Sequence, residues 1–325
     1  MKPIRLAIVG ATGLVGRTTL DVLREWRVPL VSLRLFASSE SAGRQMIYDG
    51  KTIDLEWLNG APPENLDAAI FATSREISRQ WAPRFRDAGI LVVDHSSQFR
   101  MDADVPLVIP EINGDTIGAN KKLISNPNCS ASVVLLPLAA IDQKVGLATV
   151  IVDTYQSVSG SGQDAIAELE EQLRYPNAPP RVYPRAIAHN VFPQVGPFDE
   201  QGLCEEERKV VEEIRKILRR SRLTVFTTTV RVPVQVGHSA AVTVECQRDV
   251  TRGEIESAFR EMPGLTYDSE RYSTPREIAG RQEIFVSRLR LNSERRNWLQ
   301  FWVVGDNLRK GAASNAVQIL MEVFK

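Results

Sequence analysis

One cysteine lies where a thiol can become reactive. Cys129 directly follows Pro127 and Asn128, and the apolar run Val133–Ala140 comes after it. This pattern predicts a helix that begins close to Cys129, and the first turn of a helix carries free N–H groups and the positive end of the helix dipole. Such a position favours the thiolate, which is the nucleophilic form of cysteine. Position alone leaves both a reactive and an inert cysteine open.

Two further polar residues interrupt apolar patterns and are candidates to assist a thiol. Gln156 ends an apolar strand and enters the turn Ser157–Gly162, which is rich in serine and glycine. His238 follows the strand-like run Val230–Val236 and Gly237. A thiol enzyme needs an acid and base near neutral pH, and histidine is the side chain suited to that task. The alternative for His238 is an ordinary surface residue.

Four charged side chains are candidates for ligand binding, and the alternative for each is an ordinary surface residue. Arg100 and Arg231 lie at strand or loop edges, where a guanidinium either faces solvent or binds a carboxylate or phosphate through two hydrogen bonds. Glu206 and Lys209 are three residues apart on a predicted helix, a spacing typical of a surface ion pair of little energetic value. The spacing by itself leaves both interpretations open.

The first residues predict a dinucleotide site. The apolar strand Ile4–Val9 runs into Gly10–Gly16, whose glycines have the spacing G-x-x-G-x-x-G, and the amphipathic stretch Arg17–Trp26 follows. Glycines in such a turn let backbone N–H groups approach a pyrophosphate that rests on the helix N-terminus. The alternative is a tight strand-to-helix turn without a ligand.

The composition limits the classes of function. The 325 residues suffice for two domains. The 40 basic residues are balanced by 40 acidic ones and form no basic cluster, so the composition does not support a nucleic-acid or membrane-surface partner. There is no apolar stretch of about 18 residues and no signal peptide, so we expect a cytoplasmic protein. The wide spacing of Cys129, Cys204 and Cys246 argues against a disulfide framework and against a zinc site.

The order of predicted elements indicates an α/β fold with two domains. The first part alternates strands and helices, as in a parallel Rossmann-type sheet. Its strands are predicted at Ile4–Val9, Val31–Ala37, Leu66–Ala72, Leu91–Val93 and Leu107–Ile109, and its helices at Thr18–Trp26 and Ile77–Ala88. The part after Cys129 is richer in strands and predicts an α+β domain with a mostly antiparallel sheet. Its strands are predicted at Ala148–Gln156, Thr224–Val232, Ser239–Cys246, Ile284–Leu291 and Trp298–Val304, and its helices at Asp164–Arg174, Glu205–Arg220 and Arg252–Arg260, with a last helical stretch at Gly311–Phe324.

Several segments together resemble bacterial members of the aspartate-semialdehyde dehydrogenase family, and the resemblance runs nearly end to end. The matching segments are Gly10–Gly16, Ser41–Gly43, Val105–Asn113, Asn126–Ser130, Tyr155–Gly160, Arg231–Val234 with His238, and Trp302–Ala313. The resemblance implies an NADP- and phosphate-dependent oxidoreductase that interconverts L-aspartate 4-semialdehyde and L-4-aspartyl phosphate through a cysteine thioester. That reaction would serve the biosynthesis of lysine, methionine, threonine and diaminopimelate.

The resemblance also implies roles for single residues. Cys129 matches the nucleophile, Gln156 the residue that positions substrate beside it, and His238 the acid and base. Arg231 and Glu206 match the groups that hold the substrate's α-carboxylate and α-amino group. The further substrate-binding positions are Asn128 and the two phosphate contacts Arg100 and Lys209. The implied cofactor contacts are Gly10, Thr12, Gly13, Leu14, Val15, Ser38, Ser41, Ser159, Gly160, Pro193 and Asn307.

One residue departs from the family pattern. Glu40 stands where many family members have an arginine that faces the 2′-phosphate of NADP. A carboxylate there repels a phosphate and can accept a hydrogen bond from a ribose hydroxyl, which favours NAD. Arg44 and Arg75 are candidates to compensate. NADP is therefore expected from the resemblance, and Glu40 keeps NAD open.

The resemblance implies a dinucleotide-binding domain over residues 1–126, completed by 306–325, and a catalytic and dimerisation domain over 127–305. It further implies a small-molecule substrate, phosphate, and a homodimer or homotetramer, without a metal. Two alternatives stay open. N-acetylglutamyl-phosphate reductase shares this chemistry but is expected to carry Pro-Gly-Cys-Tyr where this chain has Pro127–Ser130. A catalytically silent nucleotide-binding paralogue typically lacks the thiol that Cys129 provides.

Overall fold

The computed structural model of the protein describes residues 1–118 and 122–325. The chain divides into two compact units: unit 1 is Met1–Pro127 with Ala312–Lys325, and unit 2 is Asn128–Gly311. Residues 306–311, which the sequence assigned to the first domain, therefore belong to unit 2. The reason is local, because Asp306 accepts a hydrogen bond from the Gly280 N–H (2.7 Å) and Asn307 accepts one from the Gly237 N–H (2.9 Å).

Each unit has its own sheet, and the described residues contain thirteen strands in all. The strands of unit 1 are β1 (Ile4–Val9), β2 (Leu30–Ala37), β3 (Gln45–Tyr48), β4 (Lys51–Trp57), β5 (Ala68–Phe71), β6 (Leu91–Asp94) and β7 (Leu123–Ser125). Those of unit 2 are β8 (Leu147–Gln156), β9 (Thr224–Arg231), β10 (His238–Cys246), β11 (Leu265–Asp268), β12 (Ile284–Leu291) and β13 (Trp298–Gly305).

The α-helices of the described residues lie between the strands or after them. They are α1 (Leu14–Glu25), α2 (Arg75–Asp87), α3 (Pro110–Asn113), α4 (Cys129–Val145), α5 (Gln163–Arg174), α6 (Glu205–Ile217), α7 (Arg252–Glu261), α8 (Pro275–Ile278) and α9 (Ser314–Val323). Two short 3₁₀ turns, Gly114–Thr116 and Val158–Ser161, and a π-helical turn, Arg309–Ala313, complete the set.

Unit 1 is a Rossmann-type arrangement. Its strand order is β3-β4-β2-β1-β5-β6-β7, and every pairing is parallel except that of β3 with β4. Apolar side chains cover both faces of the central strands, as parallel sheets require. Leu23 of α1 and Val317 of α9 lie in the core on one face, and Trp81 and Phe85 of α2 lie in the core on the other.

Unit 2 is an α+β arrangement with the strand order β11-β12-β13-β10-β8-β9. The pairings of β12 with β13, β13 with β10, and β10 with β8 are antiparallel, whereas β11–β12 and β8–β9 are parallel. The predicted mostly antiparallel sheet is thus confirmed, with a parallel pair at each end. Helix α4 is apolar on all sides and buried almost throughout, which is typical of a core helix.

The element predictions failed at several places. Leu107–Ile109 is not a strand, because only Leu107 forms a bridge, to Ser125. The hairpin β3–β4 was not predicted, although its turn is Asp49-Gly50 with positive φ at both residues, a strong hairpin signal. The run expected to continue to Val236 stops at Arg231, and Pro233, which lacks an N–H, lies in the loop that follows. His238 therefore begins a strand rather than following one.

Candidate active site

Three strand ends bring polar residues to one edge of the sheet in unit 2. Strand β8 ends at Gln156 and its parallel neighbour β9 ends at Arg231, and these two residues are register partners. Strand β10 runs antiparallel to β8, so its first residue, His238, reaches the same edge and pairs with Gly305 at the end of β13. The topology therefore gathers three predicted site residues that are distant in sequence.

Cys129 is the first residue of α4. Asn128 is the N-cap, and its side-chain oxygen accepts hydrogen bonds from the N–H groups of Ser130 (2.8 Å) and Ala131 (3.1 Å). This cap starts the helix at the thiol and places Cys129 in the field of the helix N-terminus, which favours negative charge on sulfur. The structure thus confirms the prediction that a helix begins close to Cys129.

His238 faces Cys129. The Cys129 Sγ lies 3.3 Å from the His238 Nε2, and the imidazole is 1% exposed. Its other nitrogen, Nδ1, accepts the backbone N–H of Ser157 at 3.0 Å. Burial, followed by the nearby charge of Arg231, holds the pKa of His238 well below its ordinary value, so the neutral imidazole is favoured.

The buried carboxylate of Glu206 contacts Asn128, the N-cap of α4. Glu206 Oε1 accepts hydrogen bonds from Asn128 Nδ2 (2.9 Å), Ser130 Oγ (3.3 Å) and Gln156 Nε2 (3.3 Å). The surface ion pair considered for Glu206 and Lys209 is thus wrong. Glu206 turns inward, and Lys209 Nζ pairs with Glu205 Oε1 at 2.8 Å.

Glu213 is a site residue that sequence reasoning missed. It is 1% exposed, and its Oε2 accepts the backbone N–H of Asn128 at 2.6 Å. Glu206 and Glu213 are seven residues apart on α6, so they share a helix face and both reach the N-cap of α4. An acidic residue on the buried face of an amphipathic helix was the available signal.

Arg231 lies close to His238. It is 4% exposed, and its Nη1 donates a hydrogen bond to the Ser157 carbonyl at 2.6 Å. Gly160 makes room for it, since a Cβ there would lie 2.9 Å from Arg231 Nη1 and 3.3 Å from His238 Nε2. Arg231 also lines a cleft of about 610 Å³ together with Tyr183 and Pro193.

Two of the predicted cofactor residues form one hydrogen-bonded group in unit 2. Asn307 Nδ2 donates to Ser159 Oγ at 2.9 Å, and Asn307 Oδ1 accepts from Ser157 Oγ at 3.1 Å. Asn307 Oδ1 also accepts the N–H of Gly237, the residue before His238. The group therefore holds Gly237, which precedes His238, and Ser157, which contacts the imidazole.

Seven further predicted cofactor residues follow β1 or β2 in unit 1. Gly10 has φ +86°, and a Cβ there would lie 2.2 Å from the Ala72 carbonyl oxygen, so only glycine fits this turn. Gly13 caps α1 without a side-chain hydrogen bond, and Thr12, Leu14 and Val15 adjoin it. Ser38 and Ser41 belong to the turn after β2, in which the Ser38 carbonyl accepts the Ser41 N–H at 3.0 Å, and Glu40 is exposed there.

Arg100 also belongs to unit 1. Its Nε donates to the Asn126 carbonyl at 3.0 Å and its Nη2 to the His95 carbonyl at 2.6 Å, and the residue is 8% exposed. The turn that carries it is held by Asp94, whose carboxylate accepts from Ser96 Oγ at 2.7 Å. Arg100 is therefore fixed rather than solvated.

Neither a metal centre nor a membrane segment is found in the described part of the chain. Within residues 1–118 and 122–325, no three His, Cys, Asp or Glu side chains are grouped as metal ligands. None of the helices described there is long and apolar enough to cross a membrane.

Comparison with known proteins places this chain in a family. Residues 5–120 match the family model for the NAD binding domain of semialdehyde dehydrogenases, and residues 135–310 match the model for the dimerisation domain. The aspartate-semialdehyde dehydrogenase of Aquifex aeolicus is 40% identical over 97% of this chain and 96% of its own length. This chain belongs to the aspartate-semialdehyde dehydrogenase family. The family resemblance and the two-domain fold expected from the sequence are thus confirmed.

Solved structures of the family agree with this assignment. Aspartate-semialdehyde dehydrogenase II of Vibrio cholerae has a TM-score of 0.96 and 37% identity, over 99% of both chains. The structure of that enzyme complexed with ASA has a TM-score of 0.96 and 36% identity, over 100% of this chain and 99% of the other.

Proposed function

We propose that this protein interconverts L-aspartate 4-semialdehyde and L-4-aspartyl phosphate through a thioester on Cys129. The observation that carries the proposal is the pairing of Cys129 Sγ with His238 Nε2 at 3.3 Å, at the N-terminus of α4. Beside this pair lie a buried arginine, Arg231, and a buried carboxylate, Glu206, and both suit a substrate that is an amino acid.

The residues of unit 2 account for the covalent steps. The Cys129 thiolate attacks the aldehyde carbon, a C–S bond forms, and the carbonyl electron pair moves to oxygen. The N-terminus of α4 and the His238 side chain stabilise this oxyanion. A bound nicotinamide supplies the acceptor for the hydride that leaves this carbon, and the carbon becomes a thioester. An oxygen of hydrogen phosphate then attacks the thioester, the C–S bond breaks to release the thiolate, and the phosphate proton passes to solvent.

The substrate's charged groups are assigned to the two sides of the thiol. The Arg231 guanidinium is the partner for the α-carboxylate, since it is buried and held by the Ser157 carbonyl. Glu206 is the partner for the α-ammonium group. Its three described donors, Asn128, Ser130 and Gln156, are neutral side chains, so an ammonium group would supply the countercharge. Arg100 and Lys209 are assigned to phosphate by the family resemblance.

The cofactor is proposed to be NADP, bound at the glycine turn of unit 1. The turn fits a dinucleotide, because Gly10 has a backbone conformation open to glycine and no side chain caps the first turn of α1 by a hydrogen bond. The exposed carboxylate of Glu40, after β2, weakens the preference for NADP over NAD. Residues 135–310, which match the dimerisation model, are proposed to form a homodimer in solution.

Initial rates test this function. NADPH and NADH formation from L-aspartate semialdehyde is measured with and without phosphate, for the wild type and for Cys129→Ser, and with N-acetylglutamate semialdehyde as the competing substrate. We expect phosphate-dependent turnover of the aspartate compound and a loss of several orders of magnitude in Cys129→Ser, since an alcohol is a weaker nucleophile. Preference for the acetylated substrate, or no turnover by a folded protein, would refute the proposal.

A further inference from the structure

The carboxylate of Glu207 joins helix α6 to the sheet of unit 2. Its Oε2 accepts the backbone N–H of Cys204, the N-cap of α6, at 2.9 Å, and its Oε1 accepts the backbone N–H of Thr229 in β9 at 3.0 Å. The Cys204 Sγ also lies 3.0 Å from the Thr229 Oγ1. Glu207 is 7% exposed, and Cys204 and Thr229 are buried. Glu207 therefore holds the first turn of α6 against β9 from inside the protein.

The two residues that are proposed to bind the substrate's charged groups lie beside this link. Glu206, the partner of the α-ammonium group, directly precedes Glu207 on the first turn of α6. Arg231, the partner of the α-carboxylate, follows Thr229 by two residues on β9, so their side chains point to the same face of the sheet. The link thus joins the helix that carries one binding group to the strand that carries the other.

The outer edge of β9 depends on partners that are not strands of the sheet. Among the described residues, β9 is the last strand in the sheet of unit 2, so its outward N–H groups need partners elsewhere. Arg231 exchanges two backbone hydrogen bonds with Phe192, at 2.8 and 3.0 Å. The N–H of Thr229 is bound by the Glu207 carboxylate. Loss of that carboxylate would release the strand edge two residues before Arg231.

From these contacts we propose that Glu207 is a positioning residue that sets the separation of Glu206 and Arg231 and thereby the selectivity for a substrate with two charged groups. The inference rests on the proposed function and adds a residue that acts through two others. A substrate held by one charged group can follow that group when it moves. A substrate held by both reaches the thiol in the productive geometry only if their separation is right.

Two variants distinguish the position of this carboxylate from its charge. Glu207→Gln keeps the length of the side chain, but an amide has one acceptor oxygen, so one of the two N–H groups loses its partner. Glu207→Asp keeps the charge, but its side chain is one methylene shorter and does not bind both N–H groups in the same arrangement. Glu254→Gln is the matched control, because Glu254 also occupies the third position of its helix, α7, and accepts the N–H of its N-cap, Thr251, at 2.8 Å.

The test compares kcat/KM for L-aspartate semialdehyde with kcat/KM for succinate semialdehyde, which has the carboxylate but no amino group. We expect the ratio of the first value to the second to fall about tenfold or more in both Glu207 variants, chiefly through a higher KM for the aspartate compound. Glu254→Gln should keep the wild-type ratio, because a smaller folded fraction lowers both values equally.

Three outcomes would contradict the inference. An unchanged ratio in both Glu207 variants, or an equal fall in Glu254→Gln, would overturn the positioning role. A fall in Glu207→Gln with the wild-type ratio in Glu207→Asp would overturn it as well, because the charge of the carboxylate would then be what matters. No turnover of the aspartate compound by the folded wild type would instead refute the proposed function, and the inference with it.

Discussion

At the scale of single residues, the Cys129 thiol is subject to two opposing electrostatic effects. The N-terminus of α4 favours a thiolate at Cys129, whereas Glu213 places a buried carboxylate on the backbone of the preceding residue. The carboxylate holds the helix cap in place and also raises the energy of a negative sulfur. These two effects of Glu213 can be separated by substitution.

Glu213→Gln should increase the rate at which iodoacetamide alkylates Cys129 at pH 7. The amide oxygen still accepts the Asn128 N–H, but the negative charge is gone. Glu213→Leu should instead destabilise the protein by about 1–3 kcal/mol, because a buried N–H loses this partner. Glu212→Gln on the same helix is the matched control, and an equal effect of both glutamine variants on alkylation would contradict the account.

Glu40 is expected to set the cofactor preference. Glu40→Arg should raise the ratio of kcat/KM for NADP to that for NAD by about tenfold or more, since a repulsive charge becomes a partner for the 2′-phosphate. Glu64 is also exposed in unit 1, so Glu64→Arg is the control that makes the same change of net charge at another position. If the two variants shift the ratio alike, Glu40 does not face the 2′-phosphate.

At the scale of elements, the start of α4 is the feature that the sequence predicted best. The Pro-Asn turn and the apolar run after it are local signals, and the structure begins the helix at Cys129 with Asn128 as its cap. The hairpin β3–β4 was missed despite its Asp49-Gly50 turn, because its strands are partly exposed and lack the apolar runs of the central strands.

Removal of the cap tests the link between this helix start and the reactive thiol. Asn128→Ala should cost about 1 kcal/mol of stability and should also slow alkylation of Cys129 at pH 7, because the oriented first turn is disturbed. Thr251 caps α7 by accepting the Glu254 N–H at 3.3 Å, so Thr251→Ala is the control with a similar stability cost. The account fails at this point if both variants slow the alkylation equally.

At the scale of the whole molecule, the site depends on contacts that one sequence does not reveal. The hydrogen bond from Asn128 to Glu213 joins residues 85 positions apart, and that from Asn307 to Ser159 spans 148. The local sequence pattern supplied Cys129, Gln156 and His238 as candidates, and the family resemblance implied their roles. The contact between Cys129 and His238 and the role of Glu213 required the three-dimensional arrangement, because sheet topology and helix packing decide which side chains meet.

A histidine with a lowered pKa should make the protein less stable at acidic pH. Burial, with a contribution from Arg100, lowers the pKa of His95 to about 3, while in the unfolded chain it is about 6.5. Between these values the unfolded chain binds a proton that the folded chain does not, so stability falls as the pH falls. The loss at pH 5 is about 2 kcal/mol for such a histidine.

Urea midpoints at pH 7.5 and pH 5 measure this effect. His95→Gln should show a smaller fall between the two pH values than the wild type, and a variant of the exposed His189, His189→Gln, should fall as the wild type does. Carboxylates with a lowered pKa, such as Asp67, lose their contribution to the free energy of unfolding only at still lower pH. An unchanged fall in His95→Gln would show that this histidine is protonated in the folded protein.

A single-turnover experiment tests the central claim most directly. The enzyme is mixed with L-aspartate semialdehyde and NADP in the absence of phosphate, NADPH is followed by absorbance, and Cys129 is examined by peptide mass spectrometry. We expect a burst of about one NADPH per active site with an aspartyl group on Cys129, and steady turnover once phosphate is added. Turnover without a burst, or a burst with Cys129 unmodified, would contradict a thioester at this residue.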